Sequence, residues 1–165
     1  MLNTNLNDIL IYSDSGQIFV GSVSPLVKQM KDGGHDLLFF EATPIPNENR
    51  TLLTDTKRYV LDHYLIAPNS SLADTKMVCG NFMFIRNSKR ATDFMIKWRN
   101  DMIECLLMVD DRFNQPLREF PKLRRSKNDM GPLTALIAID GSLTVLPYSD
   151  KEKVLKRYTK PDRNK

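Results

Sequence analysis

Short apolar runs alternate along this chain with segments that carry helix start and stop signals, and no other feature narrows its fold as much. The first run, Ile9–Ser13 in ILIYSDSG, is almost continuously apolar and reads as a strand buried on both faces. Ser24 followed by Pro25 opens a short helix to about Asp32, where Gly33 and Gly34 stop it. DLLFFEA, residues 36–42, is a second strand, and TPIPNENRTLL is a loop by its prolines and asparagines. Thr54 can cap a helix running to about Asp62. KMVCGNFMFIRN, residues 76–87, reads as a long strand interrupted by Gly80.

The most regular element follows. Ala91, Phe94, Met95, Trp98, Met102, Cys105, Leu106 and Val109 recur at helical spacing, with most charged residues between them, so this helix packs on a sheet. After a loop holding Pro116 and Pro121, Asp129 can cap a helix through about Ile139, Gly141 ends it, and SLTVLP is the last strand. The alternation predicts an α/β layer fold whose mixed sheet is mostly parallel, with helices packed on it and ligands gathering at the carboxyl ends of the strands. Residues 1–150 form the expected single domain and residues 151–165 a basic tail.

At 165 residues, 41% hydrophobic and 27% charged, the chain suffices for one core. No apolar run approaches the roughly 20 residues that span a bilayer, and MLNTNLNDIL lacks the basic and apolar regions of a secretory signal, so the expectation is a cytoplasmic protein without a transmembrane segment. Cys79 and Cys105 lie in apolar contexts and read as reduced core thiols. With His35 and His63 the only histidines, no zinc-type spacing exists.

The net charge of +4 conceals an asymmetry: residues 112–127 and 151–165 together carry thirteen Lys or Arg against three acidic residues, which leaves the rest of the chain at −6. Such a late positive potential suits the phosphates of a nucleotide, a nucleic acid or the anionic inner face of a membrane, and equally a solvated face. A nucleic-acid-binding module is the weaker reading, since no helix-turn-helix, zinc or aromatic-basic strand signature accompanies the charge.

Asp14 stands where the first strand ends, in the turn Ser13-Asp14-Ser15-Gly16. Two readings are open: Asp14 forms the turn through its own backbone, or it coordinates a divalent ion that grips a diphosphate, with Gly16 letting the backbone approach.

The ordered series LIYSDSG, TDTKRYVLDHY, DTKMVCGNFMFIRNSKRATDFMIKWRNDM and NDMGPLTALIA, spanning about residues 8–147, resembles the carboxyl-side half of A-type (GT-A) glycosyltransferase domains that use nucleotide-diphospho-sugars, notably those of bacterial capsular polysaccharide synthesis and of giant viruses. The resemblance implies a truncated GT-A-like layer fold and transfer of a sugar from a nucleotide-diphosphate donor to a glycan hydroxyl. It makes Asp14 the first acidic residue of an Asp-x-Asp motif that holds Mn²⁺ or Mg²⁺ and the donor, with Gly16 in place of the second carboxylate. Lys57 and Arg58, after Thr56, match a helix start whose basic side chain faces glycan or phosphate. Gly80 and Asn81 match the strand that floors the sugar pocket. Asp129 matches the acidic half of an Asp-Gln pair and is the candidate catalytic base, although Ser126 and Met130 stand where relatives carry His and Gln.

In the A-type fold a βαβ region of roughly a hundred residues precedes the acidic motif and holds the nucleotide, whereas here the first strand begins at residue 9. The expectation is therefore a fragment completed by an amino-terminal half or a partner chain, with a strand edge prone to self-association, or a non-catalytic remnant of such an enzyme.

Overall fold

The computed structural model describes residues 5–105 and 130–157. Asp129, the basic residues of 112–127 and the tail beyond 157 lie outside the described residues. Four strands form the main sheet in the order β1 (Ile9–Ser13), β4 (Val78–Arg86), β3 (Leu37–Glu41), β5 (Thr144–Leu146). A two-stranded ribbon pairs β2 (Gln17–Phe19) with β6 (Leu155–Arg157). The helices are α1 (Ser24–Asp32), α2 (Leu52–Asp55), α3 (Arg58–His63), α4 (Lys89–Glu104), α5 (Met130–Asp140) and α6 (Tyr148–Glu152).

The α/β class holds, but the sheet is mostly antiparallel rather than mostly parallel. β4 pairs antiparallel with β1 on one side and with β3 on the other, and only β3 and β5 pair in parallel. The reason is positional: β1, β3 and β5 run in one direction, and the single strand that opposes them is inserted between the first two. Their carboxyl ends therefore still meet at one end of the sheet, beside the amino end of β4.

Both faces are covered. Leu38, Phe40, Phe82 and Phe84 project from one face against Leu26 and Met30 of α1 and against Val154 and Leu155, with Phe40 and Phe82 stacked at 5.1 Å between ring centroids. Leu37, Phe39, Val78 and Met83 on the opposite face meet Ala91, Phe94 and Trp98 of α4 and Leu133 and Ile137 of α5. Of the helical stripe expected from Ala91 onward, Ala91, Phe94, Met95 and Trp98 pack against this core, and Leu106 and Val109 lie outside the described residues. Cys79 and Cys105 are both unpaired thiols. Among the described residues no helix is long and apolar enough to cross a membrane.

Three local expectations are corrected. β1 is not buried on both faces, because it lies at the sheet edge and leaves Leu10 and Tyr12 at 46% and 43% exposure. The helix expected from Thr54 to Asp62 is two short helices separated by extended Thr56 and Lys57. Thr51 starts the first of them, and Thr54 bonds back from inside it, its Oγ1 accepting the Thr51 N–H at 2.9 Å. Residues 151–157, the start of the stretch read as a basic tail, instead form the end of α6 and the strand β6, with Lys151, Val154 and Leu155 buried.

α5 is locked to the sheet and to the α2–α3 bend. Thr134 Oγ1 accepts the Val78 N–H at 3.1 Å and donates to the Met130 carbonyl at 2.7 Å. Gly131 is required at the bend, since a Cβ there would overlap Thr56 Oγ1 and lie 3.2 Å from Thr56 Cβ. On the far side of α3, burial first and then the Asp101 carboxylate, which accepts the Tyr64 hydroxyl at 2.6 Å, push the Tyr64 phenol well above its ordinary range. Gly131→Ala should lower the unfolding free energy by about 1–3 kcal/mol in urea titrations, as overpacking does. Tyr64→Phe, which leaves buried Asp101 with one fewer donor, should cost about 1–2 kcal/mol in the same assay.

Candidate functional site

Where the three parallel-running strands end, the chain leaves a cavity of about 820 Å³. Each wall comes from a different segment. After β1, the turn at Asp14–Gln17 is closed by the Gln17 N–H donating to the Asp14 carbonyl at 3.2 Å, and it delivers Asp14 and Gly16 to the rim. The loop after β3 contributes Thr43 and Arg50, α6 contributes Tyr148 and Lys151, and β6 contributes Arg157, which lies opposite Gln17 in the ribbon.

The floor comes from an irregularity in β4. On the β1 side its pairing runs without a break to Ser13 opposite Phe82, and the Asp14 N–H donates to the Asn81 carbonyl at 3.0 Å. On the β3 side the register shifts: Leu38 faces Phe84, yet Phe40, two residues on, faces Cys79, five residues back. The extra length of β4 lies between Cys79 and Phe84, and it carries Cys79 and Asn81 into the cavity wall. The interruption expected at Gly80 is this bulge.

Lys151 is the most unusual group here. It is 3% exposed, and its Nζ donates to Asn81 Oδ1 at 2.7 Å, lies 3.2 Å from Cys79 Sγ and sits 5.6 Å from the Tyr148 ring centroid. Cys79 Sγ and Asn81 Oδ1 are themselves in contact. No carboxylate among the described residues pairs with Lys151, although buried ammonium groups ordinarily have one. Arg50 is similar in part: its Nε donates to buried Asp55 at 3.1 Å and its Nη1 to the Thr43 carbonyl at 2.8 Å, while Nη2 is buried without a hydrogen-bond partner.

Of the residues predicted from sequence, Asp14, Gly16 and Asn81 come together in this cavity. Gly80 is buried in β4 between two lining residues but is not itself in the lining. Lys57 and Arg58 stand apart from it. Lys57 is 1% exposed at the start of α3, and Arg58 faces solvent, paired with Asp62 at 3.3 Å. Asp129 lies outside the described residues; its neighbour Met130 lines the cavity.

A divalent ion at Asp14 finds few ligands in this setting. Asp14 is the one carboxylate among the described lining residues, it accepts the Tyr12 hydroxyl at 2.7 Å, and it faces a cavity that also carries Arg50, Lys151 and Arg157. Mg²⁺ keeps several waters and is held by one or two carboxylates together with substrate phosphates; the described lining offers one carboxylate and sets three cations against it.

Sequence reasoning missed Arg50, Tyr148, Lys151 and Arg157. Arg50 sits in a stretch read as loop, and Lys151 and Arg157 were absorbed into a basic run. The signal available was Val154-Leu155 inside that run, two apolar residues that a solvated tail has no use for.

Comparison of the chain with protein-family models, with curated proteins and with solved structures returns no match.

The Lys151–Asn81 pair supplies a test of the site's construction. Asn81→Leu should destabilise the chain by about 1–3 kcal/mol, because it strands a buried ammonium. Lys151→Met added to it should recover part of that loss. The double-mutant cycle in urea reads the coupling directly, and strictly additive effects would show that the pair is not coupled.

Proposed function

We propose that the chain is a nucleotide-diphospho-sugar glycosyltransferase, or the donor-binding part of one, and that the cavity at the end of β1 receives the donor. One observation carries the reading: Asp14, Gly16 and Asn81, which the resemblance assigns to the donor and which lie up to 67 positions apart in sequence, line a single cavity. Its volume falls within the range of small-molecule sites.

In this reading Asn81 and the Asp14–Gln17 turn orient the sugar hydroxyls, and the cations of the cavity meet the diphosphate. Transfer breaks the bond between the anomeric carbon and the diphosphate oxygen and forms one to an acceptor glycan hydroxyl, whose proton goes to a base. Asp129 is the residue proposed for that base. The leaving diphosphate gains negative charge in the transition state, so fixed positive charge placed beforehand lowers the barrier.

β1 has a strand on one side only within the described sheet, with Leu10 and Tyr12 exposed beside it. An edge open in this way can add a further strand, from this polypeptide or from another.

Isothermal calorimetry with UDP- and GDP-sugars tests the donor assignment. Saturable binding weakened about tenfold by Asp14→Asn, a loss of roughly 1.4 kcal/mol, is the expected result. A folded chain that binds none of these donors, with or without Mg²⁺, overturns the assignment and leaves a non-catalytic remnant.

A further inference from the structure

We infer that the cavity binds a diphosphate through Arg50, Lys151 and Arg157 without a divalent cation, these side chains supplying the charge that an ion would otherwise bring. The inference rests on the donor-site reading only for the identity of the molecule that carries the diphosphate.

Charge balance is the first ground. Within the described lining, three cations stand against the single carboxylate of Asp14, and that carboxylate is engaged by Tyr12. A divalent ion at a diphosphate site is held by one or two carboxylates and by the phosphates, and it needs a lining that is negative or neutral around it. Here the balance has the opposite sign, and a metal ion entering beside Lys151 and Arg157 would be repelled by the same groups that attract phosphate.

The second ground is the state of the cations themselves. Lys151 is buried, yet its only oxygen acceptor is the neutral amide of Asn81. An ammonium has three donors, and one bond to an amide with a contact to a thiol leaves it under-satisfied. Arg50 lines the cavity with its guanidinium held by Asp55 and by the Thr43 carbonyl, and its unbonded Nη2 is closed off from solvent. Arg157 has no carboxylate partner among the described residues. Lys151 and Arg157 thus have donors to spare beside one cavity, and phosphate oxygens take such donors in charge-assisted bonds.

The experiment uses the whole chain and two probes, inorganic pyrophosphate and UDP-glucose, each titrated calorimetrically in EDTA and in Mg²⁺. Pyrophosphate should bind in EDTA with an affinity within about threefold of that in Mg²⁺, and Arg157→Glu should weaken it by more than about tenfold. Arg157 is exposed on a short ribbon, so this charge reversal leaves the core intact. Lys151→Met should weaken binding further; if that variant fails to fold, the Arg157→Glu and EDTA comparisons still decide. Pyrophosphate binding that needs Mg²⁺, binding unchanged in Arg157→Glu, or no binding of pyrophosphate overturns the inference. UDP-glucose bound only with Mg²⁺ overturns the inference and keeps the donor site. Pyrophosphate bound in EDTA with UDP-glucose held no more tightly keeps the anion site and removes the donor reading.

Discussion

The placement of every group in the cavity depends on the offset in β4. A strand paired on both sides normally imposes one register on both neighbours. Here β4 keeps an unbroken ladder with β1 and gives up three residues of register against β3. The cost is local loss of ladder hydrogen bonds and stronger twist. It is offset by the packing on either side of the offset, where Phe82 and Phe84 stay in the aromatic cluster with Phe40. Without the offset, Asn81 would be an ordinary strand residue facing one sheet surface, and Lys151 would lose its acceptor.

α6 and the β2–β6 ribbon depend in turn on that floor. The ribbon covers the end of the sheet by placing Phe19 edge-on to Phe82 at 6.3 Å and by the Val20 N–H donating to the Val154 carbonyl at 2.8 Å. This fold-over draws Arg157 to the cavity and buries Val154 and Leu155, so the last described residues are structural as well as basic. Gly21 permits the approach, since a Cβ there would overlap the Lys153 carbonyl.

Much of the architecture could be read from the sequence because its cause is local. The Ser24-Pro25 start, the Gly141 stop at positive φ and the stripe through Phe94 and Trp98 each act over a few residues, and each appears where expected. The strand directions could not be read that way. Whether β4 slots between β1 and β3 is a question of long-range pairing, and an apolar run has the same composition in either direction. The site shows the same division. Asp14 and Gly16 stand in a turn that singles them out and Asn81 is reached through the resemblance alone, whereas Lys151 and Arg50 take their meaning from burial, which a lysine in a run of charges gives no sign of. Lys57 shows the converse, since its helix-start position suggested a side chain reaching outward to glycan or phosphate, and it is buried.

Several departures from the ordinary rules of folding border the cavity, while buried Thr56 Oγ1, Arg86 Nε and Trp98 Nε1, also without hydrogen-bond partners, lie elsewhere. A lysine buried without a carboxylate, an arginine nitrogen without an acceptor and a register shift in a doubly paired strand all border the same cavity. Each one costs stability, since desolvating a charged group without full compensation costs several kcal/mol. Proteins retain such features where a ligand makes up the deficit, and a binding anion stabilises the fold by the same interactions that hold it. A purely structural remnant would have no use for this arrangement, because replacing Lys151 and Asn81 with apolar residues of similar size would relieve the cost at no loss to the core. A buried lysine and a largely enclosed arginine beside an open cavity therefore suit a site that receives an anion.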